Sequence, residues 1–229
     1  MKSLIFDAGP IISLSMNNLL SILEPLKKEF NGRFFITQSV KKELVDRPLE
    51  IKKFKFEAIQ VEKLIDSNVL EIYDSEFVRE KTPMLLNLAN SVFKAYGNYM
   101  QIVHHAEMSV IAAAIELKSD AIVIDEKATR LLIENPRTSL EILKKTLHTH
   151  VNVNEANLSE FGGMTKNLRT IRSVELVTLA YEHGFLDQYV ANIPDARKNL
   201  LESVLWGVKL DGCAVSREEI DQIVRMEIK

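Results

Sequence analysis

Four carboxylates stand out in this 229-residue sequence: Asp7, Glu43, Glu107 and Asp125. Asp7 follows Leu4-Ile5-Phe6, a short apolar run that reads as a buried strand, and precedes Ala8-Gly9-Pro10, where a helix begins. Asp125 closes Ala121-Ile122-Val123-Ile124, a continuous apolar run of the kind expected for a strand covered on both faces. Glu107 falls inside the apolar stripe of a helix over 105–117. Val110, Ile111, Ala114, Ile115 and Leu117 make up that stripe, with Ser109 and Glu116 on the opposite side. A carboxylate there is costly unless a cation or a metal pairs with it. Glu43 lies on the helix after a second strand, Phe34-Phe35-Ile36; taken alone it reads as a surface glutamate among lysines. In open α/β sheets the working crevice lies off the carboxyl ends of the strands, so the four acids are expected to meet there. Carboxylates crowded together repel, and a divalent cation relieves that repulsion. Hard oxygen donors select Mg2+ or Mn2+ over zinc. The chemistry such a site does is phosphoryl transfer to water. Ser13, one turn into the first helix, is a candidate for orienting a water or a ligand. Lys127 and Arg130 are candidates for gripping a phosphate, with ion pairs to Glu126 or Glu134 as the plainer alternative.

The elements that must position these residues follow from the apolar pattern. The first helix carries Ile11, Ile12, Leu14, Leu19, Leu20, Ile22 and Leu23, with Gly9 letting the backbone turn sharply at its start. A helix with Val40, Leu44 and Val45 ends before Pro48. Residues 50–66 are helical and include the basic run Lys52, Lys53 and Lys55. Such a run is most often a solvated face, and it can also contact phosphates. Val69–Tyr73 reads as a short edge strand. Residues 75–102 read as a long helix interrupted at Pro83 and bent at Gly97. Residues 135–169 are irregular, with Gly162-Gly163 as a flexible point. A helix over 173–181 closes at His183-Gly184. Helices over 195–209 and 216–227 follow, the last opened by a capping box at Ser216. The order predicts an α/β fold with a central parallel sheet and helices on both faces.

Composition adds boundaries. Hydrophobic residues make up 46% and charged residues 27%, ordinary for a globular chain. The net charge of -3 argues against a strong nonspecific polyanion binder. One cysteine, Cys213, excludes an internal disulfide and a cysteine-rich zinc site. No run is long enough to span a membrane, no signal-peptide core survives Asp7 and Pro10, and the expected setting is cytoplasmic. His104-His105, and His148 with His150, invite a zinc reading, but no third ligand has suitable spacing. An aspartyl-phosphate mechanism at Asp7 needs a second Asp where Gly9 stands, and is set aside.

Read in order, LIFDAGPIISL, FITQSVKKELVDRP and AEMSVIAAAIELKSDAIVIDEKATR resemble the successive motifs of the PIN-domain ribonucleases over roughly residues 3–185. The resemblance implies a three-layer α/β/α domain over 1–185, with 186–229 as a C-terminal helical extension packed on it. It implies Asp7, Glu43, Glu107 and Asp125 as catalytic acids, with Asp7, Glu107 and Asp125 holding Mg2+ or Mn2+. It implies endonucleolytic cleavage of single-stranded or structured RNA. Many relatives are VapC-type toxins, so an antitoxin protein and a homodimer are further implied partners. Three departures stand out: Glu107 where Asp is common, Gly9 where Ser or Thr is frequent, and a chain longer than a typical toxin. The alternative is a catalytically weak PIN-fold scaffold that binds RNA or protein.

Overall fold

The computed structural model describes residues 2–147 and 149–228. His148, half of the second histidine pair considered above, lies outside them. The chain begins β1 (Ser3–Phe6), α1 (Ala8–Met16), α2 (Leu23–Phe30), β2 (Arg33–Thr37) and α3 (Gln38–Lys41). It continues α4 (Arg47–Glu50), α5 (Lys55–Asp66), β3 (Glu71–Tyr73), α6 (Glu76–Asn90), β4 (Phe93–Ala95) and β5 (Asn98–Tyr99). Then come α7 (His105–Leu117), β6 (Ala121–Val123), α8 (Lys127–Glu134), α9 (Pro136–Leu147) and β7 (Asn152–Val153). Last are α10 (Glu155–Thr165), β8 (Thr170–Ile171), α11 (Ser173–Glu182), α12 (Ala196–Leu210) and α13 (Arg217–Glu227).

Five strands form one parallel sheet in the order β3-β2-β1-β6-β8, flanked by helices. The chain builds outward from β1 through β2 to the β3 edge, then returns to lay β6 on the other side of β1. That reversal makes the β1/β6 pair a topological switch point, where a crevice opens off the strand ends. Phe6 is in register with Ile36 on one side and Val123 on the other, so Asp7 and Asp125 leave the sheet at nearly the same level. Ile5, Phe6, Ile36, Ile122 and Val123 are fully buried, which is why these strands read as unbroken apolar runs.

Several elements differ from the sequence-based expectation. The first helix stops at Met16 because Asn18 takes a left-handed conformation, and a short 3-10 turn at Leu20–Ile22 re-enters helix. Gly9 needs no special backbone; it sits inside α1, and only Gly97, Gly184 and Gly212 have positive φ among the described glycines. The second helix passes Pro48, because a π-helical stretch at Lys42–Asp46 hands over to α4 and leaves Pro48 in the first turn, where no N–H is required. The helix expected over 75–102 ends at Asn90. Its remainder is a β4–β5 hairpin whose two turn residues, Tyr96 and Gly97, both have positive φ. Pro83 stays within α6. Residues 135–169 contain α9, β7 and α10, with Gly162-Gly163 inside α10. Here β7 pairs with β4 to complete a small antiparallel sheet. Ser109 is buried rather than wet, because it faces the end of β2; its Oγ lies 2.7 Å from Thr37 Oγ1. The expected caps hold at His183-Gly184 and at Ser216, whose Oγ accepts the Glu219 N–H at 3.1 Å.

Candidate active site

A cleft of about 340 Å³ opens at the switch point, and Asp7, Glu43, Glu107 and Asp125 all line it. Four stretches of chain therefore deliver their acids to one place. Asp7 leaves β1 with its N–H bonded to Val123 O at 2.9 Å, which ties its backbone to β6. Glu43 reaches the cleft from the π-helical stretch, and its side chain is exposed at the mouth. Such π-helical insertions are frequent at functional sites. Glu107 stands in the first turn of α7, where its carboxylate accepts the N–H of His104. An acid at a helix start also gains from the helix dipole. Asp7 Oδ2 and Asp125 Cβ both lie within 4 Å of the point where a Cβ on Gly9 would stand. The two acids are thus neighbours across that glycine.

Asp125 is the best-satisfied of the four. Its Oδ1 accepts the N–H of Ser173 at 2.7 Å, and its Oδ2 accepts the Ser173 hydroxyl at 2.8 Å. Ser13 Oγ lies 3.0 Å from the same Oδ2, and also 3.0 Å from Gly9 O and 3.2 Å from Asp211 O, so one proton is shared among three acceptors. Ser13 is fully buried. Its hydroxyl therefore supports Asp125, in place of the water-orienting part expected for it.

Asp7 and Glu107 are in the opposite condition. Burial, then the charge of Glu107, then that of Glu43 push the Asp7 carboxyl up to about 7, against the opposing N–H bonds of Ala8 and Gly9. Burial likewise pushes Glu107 up to about 7; the His104 N–H opposes the shift, while Glu126 and Glu43 add to it. Among the described residues no lysine or arginine lines the cleft to offset these charges. Lys127 is exposed on α8 outside it, and Arg130 is committed to Glu134 at 3.2 Å. Neither of the two basic candidates faces the acids, and Arg130 takes the ion-pair alternative.

Three contributors were not found from sequence. Glu126, directly after Asp125, adds a fifth carboxylate. Ser173 stands two residues past β8, as Asp125 stands two past β6, but a two-residue strand leaves little trace in the apolar pattern. Asp211 and Gly212 arrive from the turn between α12 and α13. An Asp-Gly pair signals a turn, but nothing local says that this turn closes over β1. Asn17 Nδ2 donates to Asp211 Oδ2 at 2.8 Å, and Ala214 N donates to Asp125 O at 3.3 Å. Arg172 bridges Ala214 O at 2.9 Å and Glu219 at 3.0 Å. A Cβ on Gly207 would stand 2.0 Å from Asn17 Oδ1, so a side chain there would displace the Asn17 amide that holds Asp211. Cys213 is buried beside Asp125; desolvation first, then the Asp125 charge, push its thiol up to about 12, and it stays protonated.

As a donor set the cleft is mainly carboxylate oxygen, with the His104 imidazole beside it, and oxygen donors suit a hard cation. Among the described residues no three carboxylate, imidazole or thiol groups converge into a closed cage. The buried, mutually repelling Asp7 and Glu107 are the pair that a cation would stabilise.

A parallel sheet with acids gathered at its switch point defines an α/β protein with an acidic cleft off its strand ends. A family model described as a PIN domain matches residues 3–137, and the chain belongs to the PIN-domain family. PIN domains are generally nucleases that use divalent metals. No curated protein and no solved structure matches the chain. Among the described residues no helix is long and apolar enough to cross a membrane.

Proposed function

We propose that this protein is a metal-dependent endoribonuclease that hydrolyses phosphodiester bonds in single-stranded RNA. The observation that carries the reading is the meeting of Asp7, Glu43, Glu107 and Asp125 in one cleft that no lysine or arginine lines among the described residues. Asp7, Glu107 and Asp125 would hold Mg2+ or Mn2+, directly or through water. The bound ion supplies a water acidic enough to attack at neutral pH and neutralises charge building on the phosphate. Asp125, fixed by Ser173 and Ser13, keeps one orientation and so fixes where the ion sits. Glu43, exposed at the mouth, accepts a hydrogen bond from the attacking water. His104 at the rim is a donor toward the substrate.

The test is cleavage of an unstructured RNA oligonucleotide in Mn2+ or Mg2+, with EDTA as control. Cleavage that vanishes in Asp7→Asn and in EDTA supports the reading; equal cleavage by the Asp7→Asn chain removes it. A second reading, a PIN-fold binding scaffold, is favoured by the absence of a closed cage among the described residues. Calorimetry separates the two, since a scaffold takes up no Mn2+ at millimolar concentration. An antitoxin partner and a homodimer belong to a narrower version of the first reading, in which expression arrests growth and the arrest is relieved by a neighbouring gene product.

A further inference from the structure

Beside the acidic cleft lies a second hollow of different character. It has a volume of about 110 Å³, and Ile12 and Glu43 line both. Its other walls include Met16 of α1, Pro48 of α4, and Phe54 and Glu57 at the start of α5. We propose that this pocket receives one nucleobase of a single-stranded RNA whose adjoining phosphate lies in the acidic cleft. The proposal rests on the ribonuclease reading above and names how that substrate is held.

Four observations carry it. First, the size is far below the ~300 Å³ at which drug-sized sites begin, and it suits one flat ring rather than a protein helix. Second, Phe54 adopts φ +64, a conformation uncommon for any bulky side chain. Strain of that kind persists where the surroundings enforce it, and it clusters at ligand clamps. The Phe54 ring is 40% exposed at the pocket wall, so it is available for stacking. Third, the Lys53 ammonium lies 4.4 Å from the Phe54 ring centroid, and Lys52 and Lys55 are exposed on either side. Cations interleaved with an aromatic ring are how proteins hold single strands, the charge tracking phosphates while the ring stacks a base. The basic run left open by the sequence thus gains a place in the reaction. Fourth, Ser15 lines the pocket with a buried Oγ that has no hydrogen-bond partner, and the half-buried Glu57 lines it too. A carboxylate accepts only, and a hydroxyl can accept, so this wall favours a base edge that carries amino or imino donors.

The experiment measures anisotropy of fluorescein-labelled RNA hexamers in Mg2+, using the Asp7→Asn chain so that nothing is cut. Phe54→Ala is expected to weaken binding about 10-fold, the scale of one stacked base. One abasic position in the hexamer should cost the parent chain a similar factor and cost the Phe54→Ala chain nothing further. Phe54→Trp should keep the parent's affinity, which separates loss of stacking from loss of fold. Equal binding by the Phe54→Ala and parent chains overturns the proposal and leaves the pocket to a protein partner. Abasic penalties that persist undiminished in Phe54→Ala overturn it as well. Cleavage by the unmodified chain is scored separately. RNA cut normally by Phe54→Ala sinks the pocket and spares the nuclease; an intact coupling without any cleavage does the reverse.

Discussion

The two sides of the acidic cleft are built on opposite principles. On one side Asp125 is well satisfied: two serines donate to it, one of them through both backbone and side chain. On the other side Asp7 and Glu107 are buried among other carboxylates, and burial first, then neighbouring negative charge, raises both to about 7. The first is a finished hydrogen-bond network whose removal costs stability. The second is a charge conflict whose removal gains stability. One side fixes geometry, and the other creates the demand for a cation.

The largest effect is expected at the conflicted side. Asp7→Asn should lower RNA cleavage by more than the ~10–100-fold typical of losing a group that only orients a metal ligand. In the same variant the melting temperature of the metal-free protein should rise, measured by scanning calorimetry in EDTA. Loss of both activity and stability would mean that Asp7 is an ordinary structural carboxylate.

Ser173→Ala probes the finished side and should move stability the other way. It strips one donor from a buried carboxylate, at a cost of about 1–3 kcal/mol. Cleavage should fall ~10–100-fold, with a higher Mn2+ concentration restoring part of it. If Ser173→Ala and Asp7→Asn shift the melting temperature in the same direction, the two sides are not different in kind.

A pH series sharpens the contrast. Asp7 and Glu107 have folded values near 7, above their unfolded ones. Between roughly pH 4 and pH 7 the folded state therefore binds more protons than the unfolded state. Stability from these groups is full below the lower bound and is lost as pH rises through 7. The metal-free melting temperature should fall by on the order of 5 °C from pH 5 to pH 8. Mn2+ should restore it at pH 8 and do little at pH 5, and Asp7→Asn should flatten the curve. A flat profile in the unmodified chain would dissolve the conflict.

The smallest change is expected midway between the sides. A Cβ on Gly9 would meet Asp125 Cβ at 3.6 Å and Asp7 Oδ2 at 3.7 Å, both ordinary contacts. Gly9→Ala should therefore fold normally, gaining up to about 1 kcal/mol by chemical denaturation.

What could be read without coordinates was set by length and periodicity. The strands before Asp7 and Asp125 are apolar on both faces, and each ends abruptly in an acid. Chain order alone then delivered the parallel sheet and the four cleft acids. The hairpin at Phe93–Tyr99 was missed because its strands are too short to show alternation, and its turn is Tyr96-Gly97, where Asn or Asp usually precedes the glycine. α9 was missed because its polar face outweighs a narrow apolar stripe, and α10 because it has little amphipathic pattern and holds Gly162-Gly163, a pair that signals a break. Ser173 and Asp211 were invisible for another reason. Their importance lies in partners 48 and 194 positions away, Asp125 and Asn17, and such separations leave no local pattern.

The turn between α12 and α13 has a consequence for synthesis. Asp125 emerges from the ribosome long before Ala214, which binds its carbonyl, and before Asp211, which lines the same cleft. A nascent chain that already holds all four early acids still lacks the piece that roofs them. The lining of the cleft is therefore complete only once this turn has been made.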